Sequence, residues 1–282
     1  MRGHARTAQL TALAIVAFAA NSVLCRLALR PGFIDPMSFL SVRLASGAAT
    51  LLVVSRWTST RRHDLGGSWT SAGILMLYGV PFSFAYVGLS AGTGALILFG
   101  CVQITMLVAA LRSGERPHVL QWLGLGLALV GLVYLVLPGI EAPPPLSAGL
   151  MALGGFGWGV YSLLGRGAPD PLAQTTGTFV RCVPLTLGLS LVLVARAHAQ
   201  WTGVLLAVAS GAIASGLGYV VWYSALRGLT TTRAAVVQLA VPVVAALGGV
   251  LFLAEAVSAR LLLSTVLVLG GIGLTMMGRS AA

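Results

Sequence analysis

The chain states one pattern twice. An apolar run ends at Ser113-Gly114-Glu115-Arg116-Pro117, and a second begins at Val119 and passes Gly131. Later, two apolar runs flank Ala254-Glu255-Ala256-Val257-Ser258-Ala259-Arg260, and the second of these passes Gly271. Glu115 and Glu255 stand 140 positions apart, as do Gly131 and Gly271. Leu10, Leu13, Ser22, Leu24 and Arg26 return at the same interval as Leu150, Leu153, Ser162, Leu164 and Arg166. The chain therefore reads as two copies of one unit, residues 1–140 and 141–282.

Composition says what medium the unit folds in. Hydrophobic residues fill 57% of the 282 positions and charged residues only 8%, with a mean hydropathy of +0.96. Soluble domains carry about 25% charged residues, and a water-facing surface cannot absorb this much apolar side chain. A helix needs about 20 apolar residues to cross a hydrocarbon layer about 30 Å thick, and such stretches follow one another almost end to end. The alternating pattern of barrel strands is absent, and backbone groups in lipid must pair inside a helix or a closed barrel. An all-α polytopic membrane protein is expected, with the lipid bilayer as its first partner.

Ten helices are expected, at about 9–29, 36–54, 70–90, 93–111, 118–137, 146–164, 172–194, 203–226, 231–253 and 260–278. Arg2 and Arg6 precede the first, and Ala17-Phe18-Ala19 resembles a signal-peptidase site. The return of that segment in mid-chain argues that it is retained as a helix. Five helices per copy is an odd number, so the second copy enters the membrane from the opposite side and the halves are inverted. Pro143-Pro144-Pro145 stiffens the connection between them.

With the N-terminus inside, cytoplasmic segments hold Arg2, Arg6, Arg56, Arg61, Arg62, Arg112, Arg116, Arg166, Arg227, Arg233 and Arg279, against Arg26, Arg30, Arg196 and Arg260 outside. That bias fits the positive-inside rule and expects both termini in the cytoplasm of a bacterial-type inner membrane. Trp57, Trp69, Trp122 and Trp201 fall near run ends, where amphipathic rings favour the interface. The net charge of +11 thus marks topology. No basic stripe interleaved with aromatics points to nucleic acid.

The paired pattern of helix, Glu, helix and Gly at Leu107 to Gly131 and at Leu247 to Gly271, with Arg43 and Arg181 early in the second helix of each half, resembles the drug/metabolite transporter superfamily, EamA type. The resemblance covers essentially the whole chain. Length and general pattern look similar to the YddG-like amino-acid exporters. Two departures stand out: Ala254 precedes Glu255 where a Gly is usual, and Pro242 has Val102 as its counterpart. The resemblance implies ten helices in two inverted five-helix repeats that move a small molecule by alternating access.

Intramembrane charge is costly and marks function, and only Arg43 and Arg181 qualify. Either can take a substrate carboxylate; the other reading is that they snorkel or bond neighbouring carbonyls. The six acids and four histidines fall at or near helix ends, which removes the mid-membrane groups a proton relay would use. Facilitated efflux is expected over tight proton antiport, while Glu115 and Glu255 stay available for gating.

The membrane middle is neutral and aromatic. Candidate cavity residues are Tyr78 and Phe82 in the third helix, Phe99 and Gln103 in the fourth, Trp158 in the sixth, Tyr219 in the eighth and Gln238 in the ninth. Asn21 and Ser22, and Tyr161 and Ser162, lie further toward the ends. Such rings and amides suit a zwitterion or a planar apolar side chain, and they serve equally as packing and interhelical glue. Gly79, Pro81, Gly155, Gly216, Gly218 and Pro242 interrupt helices at mid-membrane and are hinge candidates; close helix packing is the rival role for the glycines.

Cys25, Cys101 and Cys182 stand singly, without zinc or redox spacing, and no cofactor or metal is expected. Gly124-Leu125-Gly126 lies inside a spanning helix with no preceding strand, and hydrolase and zinc-protease motifs are absent. The expected function is export of amino acids, aromatic or otherwise neutral. The alternatives are export of drugs or other neutral metabolites and, from another class, a scaffold or receptor that carries no flux.

Overall fold

Two Asp-Pro steps show how local chemistry starts these helices. Asp35 Oδ1 accepts from the amides of Met37 and Ser38, both at 3.0 Å, ahead of a helix that begins at Pro36. Asp170 Oδ1 accepts from Leu172 and Ala173 at 2.9 and 3.1 Å, ahead of one that begins at Pro171. In each the carboxylate satisfies amides that have no intrahelical partner, and proline occupies the first position, where its missing N–H is not needed. Burial alone would raise the Asp35 carboxyl, but hydrogen bonds from Ser38, His198 and Met37 outweigh it and hold the group below its ordinary value.

The computed structural model describes residues 2–58, 65–112, 118–137, 139, 142–166, 168–229, 234, 237–238 and 240–277. Among these the helices are α1 (Arg2–Leu29), α2 (Pro36–Thr58), α3 (Trp69–Ala85), α4 (Ala91–Arg112), α5 (Val119–Val136), α6 (Pro145–Gly165), α7 (Pro171–Val192), α8 (Trp201–Leu226), α9 (Ala240–Leu253) and α10 (Ala259–Met277). Among the described residues no strand forms; Ile34 and Ala199 share a lone antiparallel bridge. Seven of these helices, α1, α2 and α4 to α8, are long and apolar enough to span a membrane. Trp69–Ala85, Ala240–Leu253 and Ala259–Gly271 are shorter apolar stretches.

Two bounds depart clearly from expectation. α1 begins at Arg2, because the residues before 9 continue the helix, and α3 stops at Ala85, where the 86–90 segment turns back toward α4. Most of 230–239, and with it the expected start of the ninth helix, lies outside the described residues, as do Asp64, Glu115 and Glu141.

Burial is reversed relative to a soluble protein. Leu123, Val130 and Val133 on α5 and Leu262, Leu263 and Val266 on α10 are exposed, whereas Asn21, Ser22, Arg43, Thr175, Ser210, Ser215 and Gln238 are buried. Lipid faces the apolar exterior and polar groups turn inward. α5 and α10 pack on each other and touch α4 only lightly. Their crossing explains the glycines at the repeat interval. A Cβ on Gly131 would meet Leu267 Cβ at 2.8 Å, and one on Gly271 would meet Ala128 N at 2.6 Å. Each helix seats its glycine against the other, so the backbones touch.

The remaining helices form the body: α3 and α4 pack on α6, α1 on α8 and α9, α2 on α7 and α8, and α9 on α4. At one end the 33–35 segment pairs with 198–200, and Gly88 packs on Pro144 and Ser147. At the other, Gly228 packs on Thr7, Arg227 bonds the Pro169 carbonyl, and Gly67 N donates to Gln174 at 2.9 Å.

Candidate functional site

The centre of the body is built around Arg43. Its position on α2 is seven residues past Pro36, about 10 Å along the helix axis, and its side chain is 1% exposed. Nε donates to Ser215 Oγ at 2.9 Å, and Nη2 donates to Tyr78 Oη at 3.2 Å and Tyr219 Oη at 3.0 Å. The guanidinium lies 5.4 Å from the Tyr78 ring centroid and 5.1 Å from that of Phe82. Nη1 is buried without a partner.

Asn21 on α1 joins this network. It donates to Tyr78 Oη at 3.1 Å and accepts from Ser210 Oγ at 2.6 Å and Ser215 Oγ at 3.4 Å. Both serines belong to a π-helical stretch of α8, Ser210–Leu217. At 100° per residue an α-helix would point side chains five apart about 140° away from each other; the wider π turn brings both hydroxyls to Asn21. Gly211 makes room, since a Cβ there would strike the Arg43 carbonyl, and α2 and α8 meet backbone to backbone.

Aromatic rings close around the polar network. Trp158 lies 4.7 Å from Tyr219, 5.2 Å from Tyr78 and 5.3 Å, edge-on, from Phe18, and its Nε1 donates to Gln238 Oε1 at 3.2 Å. Offset and edge-on pairs of this kind add about 0.5–1.5 kcal/mol each beyond area burial. Phe18, Asn21, Ser22, Tyr78, Phe82, Leu98, Phe99, Trp158 and Tyr219 line a cavity of about 10 Å³, room for about one water.

The structure thus brings together Asn21, Ser22, Tyr78, Phe82, Phe99, Trp158 and Tyr219, with Gln238 behind Trp158. Tyr161 stands beside them, its ring 5.8 Å from Trp158, and Ser162 Oγ is buried without a partner. Gln103 sits half-buried on α4, beyond Phe99 and outside the cavity wall.

The hinge candidates scatter. Gly79 meets the Leu40 side chain, and Pro81 sits inside an unbroken α3. Gly155 lies against Leu98 and Cys101, which is α4–α6 packing. Gly216 is in the π stretch and Gly218 directly after it, while Pro242 is in the first turn of the described α9, where its missing N–H removes no helical bond. Arg181 is elsewhere: its Nη1 donates to the carbonyls of Gly66 at 2.9 Å and Gly177 at 2.8 Å, tying the 65–68 segment to α7.

Phe18, Leu98, Ser210 and Ser215 were not expected at the centre. Phe18 had a signal, since it lies three and four residues before Asn21 and Ser22 on one helix face. The serines had none at α-helical spacing.

A second cluster sits above the cavity. Arg26 Nε pairs with Glu255 Oε1 at 3.1 Å, and Arg26 Nη1 donates to the carbonyls of Tyr86 and Val87, both at 2.8 Å. Glu255 Oε2 accepts from Ala91 N at 2.8 Å, and Arg30 bonds the Leu253 carbonyl at 2.8 Å. The ends of α1, α3 and α9 and the start of α4 are latched together.

The EamA-like transporter family matches residues 6–137 and again residues 146–277. A Pseudomonas aeruginosa protein described as uncharacterised is 50% identical, over 98% of this chain and 97% of its own. A Salmonella typhimurium protein described as a probable amino-acid metabolite efflux pump is 24% identical, over 73% of this chain and 77% of that one. The uncharacterised transporter YwfM of Bacillus subtilis is 28% identical, over 82% and 81%. A solved structure, described only as a crystal structure of a protein, shares the fold with a TM-score of 0.69 at 20% identity, over 96% of this chain and 99% of that one.

Proposed function

Because the chain belongs to the EamA-like transporter family, a family of membrane carriers and not of enzymes, we propose that it exports amino acids, aromatic or otherwise neutral, by alternating access. The observation that carries this reading is the ring-lined cavity walled by α1, α3 and α4 of one repeat and α6 and α8 of the other, with Arg43 of α2 bonded to the hydroxyls of its wall residues Tyr78 and Tyr219. A site shared between repeats is where a rocking motion of one half against the other changes access. The relatives described as probable amino-acid metabolite efflux pumps, in Salmonella typhimurium and Escherichia coli, support the substrate class.

On this reading residues 1–140 and 141–282 are inverted halves, and both termini are cytoplasmic in a bacterial inner membrane. The packing of Thr7 near Gly228, at the opposite end from Ser147 near Gly88, supports the inversion, since α1 and α6 then start on opposite sides. The small cavity corresponds to a state with the centre shut, and the Arg26–Glu255 cluster is its outer latch. The described acids sit at helix ends, which favours facilitated movement over proton antiport.

Counterflow in proteoliposomes tests the function. Vesicles loaded with unlabelled phenylalanine are expected to accumulate labelled phenylalanine above empty vesicles, and other neutral amino acids to compete. No flux above background for any amino acid would end the proposal; competition by neutral drugs but not by amino acids would move it to the other cargo class.

A further inference from the structure

Arg43 is a buried charge that its neighbours leave uncancelled. Its acceptors are three neutral hydroxyls, on Ser215, Tyr78 and Tyr219, and Nη1 has none. The acids that the structure describes are all spent at helix ends: Asp35 on α2, Asp170 on α7, and Glu255 on Arg26 and Ala91. An arginine cannot shed its proton to escape burial, as a lysine would. A buried guanidinium whose Nη1 is unpartnered, with Nε and Nη2 already donating, is a receptor for an anion, and one carboxylate oxygen can accept a charge-assisted hydrogen bond there.

The same surroundings are poor for an ammonium. The faces of Tyr78 and Phe82 already hold the guanidinium. Asn21 Oδ1 already accepts from Ser210 and Ser215, and Gln238 Oε1 takes the Trp158 N–H. A cation in the cavity would lie against Tyr78, Phe82 and Tyr219, the residues that hold Arg43, with no carboxylate among the described residues to offset that charge.

Building on the reading of this cavity as the cargo site, we propose that Arg43 Nη1 is the specificity-determining group, that it binds the cargo's carboxylate, and that the cargo's ammonium is dispensable. The site then takes monoanionic carboxylates carrying an aromatic or apolar group, with the des-amino acid accepted alongside the amino acid. Moving a monoanion carries net charge, so an inside-negative potential drives export without a proton relay.

The test compares four probes on the purified full chain, in equilibrium binding and in counterflow: phenylalanine, 3-phenylpropanoate, phenylalaninamide and 3-phenylpropanamide. The two acids are expected to bind within a few-fold of each other and the two amides at least about tenfold more weakly, the range of one charge-assisted hydrogen bond. Arg43→Gln should erase the preference for acid over amide, and Arg43→Lys should restore part of it. Should the variants fail to accumulate, acid against amide on the unaltered protein decides alone. Amides that bind as tightly as acids would overturn the proposal. So would carriage of phenylalanine without 3-phenylpropanoate, which leaves amino-acid export standing. Carriage of 3-phenylpropanoate without phenylalanine supports the inference and removes amino-acid export, and no binding by any probe overturns both.

Discussion

Arg43 and Arg181 stand in the second helix of their respective halves, and each is flanked by apolar residues. One is at the centre of the body against the neighbouring rings of Tyr78 and Phe82, with an open N–H; the other bonds the carbonyls of Gly66, in the 65–68 segment, and of Gly177, on its own helix α7. Position along a helix does not separate them. What separates them is the kind of partner: fixed backbone carbonyls hold Nη1 of a half-buried Arg181 as a structural clip, whereas neutral hydroxyls leave the buried Arg43 short of an anion. The same contrast divides the middle of the molecule from its rim, because Arg26, Asp35, Asp170 and Glu255 all have partners that finish them.

The largest expected effect sets the two arginines against each other. Arg43→Met is expected to lower the preference for acids over amides by about 10- to 100-fold, the scale of a charged hydrogen bond, without loss of thermal stability. Replacing an uncancelled buried charge by an apolar chain relieves desolvation. Driving force follows from the same charge: about 2.3 kcal/mol per 100 mV for a monoanion, a gradient of roughly 50-fold. Potassium-diffusion potentials imposed on vesicles should therefore accelerate efflux of 3-phenylpropanoate and leave zwitterion exchange unmoved.

Trp158→Ala comes next and tests whether the centre is packing or site. Removing a buried indole in contact with four rings is expected to cost about 3–5 kcal/mol. Trp158→Phe keeps most of that packing and loses the hydrogen bond to Gln238. If flux falls in the Phe variant while its melting temperature holds, the ring is read by cargo; if both hold, Trp158 is core only.

Much of this contrast was legible in the sequence, and its limits are physical. Seven of the expected apolar runs were readable because a spanning helix declares itself by length, while Trp69–Ala85, Ala240–Leu253 and Ala259–Gly271 are shorter. The repeat was readable from Glu115 with Glu255 and from Gly131 with Gly271, and the latter two lie where α5 and α10 cross. Trp158, Tyr78 and Tyr219 were readable as rings within apolar runs, and the structure gathers them around one cavity. The separation of Arg43 from Arg181 was not, because depth along a helix gives no account of which face turns to which neighbour. Ser210 and Ser215 were hidden for another reason: their spacing of five makes one face only on a π turn.

The rim yields smaller effects. Glu255→Gln weakens the pair with Arg26 and its grip on the start of α4, an expected loss of about 1–3 kcal/mol. If the cluster is the outer latch, a cysteine at Ser22, in a chain with its own cysteines replaced by alanine, should react faster with an impermeant thiol reagent added outside. Arg181→Gln frees Gly66 and is expected to cost about 1–2 kcal/mol while leaving acid and amide discrimination unchanged. A change in discrimination there would break the contrast between the two arginines.

The smallest effect comes from one backbone angle beside the latch. Ala254 has φ of +50°, in the left-handed region, at the turn that ends α9 after Leu253. The turn closes when Glu255 N donates to the Gly249 carbonyl at 3.1 Å, and it is this turn that aims the Glu255 carboxylate at Arg26 and Ala91. A Cβ in that conformation crowds the following carbonyl at about 1–2 kcal/mol, a strain glycine does not carry, although glycine loses more freedom on folding. Ala254→Gly should therefore raise stability by a net of about 0.5–1 kcal/mol, read as a higher midpoint in thermal unfolding, with the acid preference at Arg43 untouched. Setting it beside Glu255→Gln sharpens the point. If the latch holds the centre shut, glycine should slow labelling at Ser22→Cys where glutamine speeds it, and equal labelling in both would mean that the rim holds the fold together without governing access to Arg43.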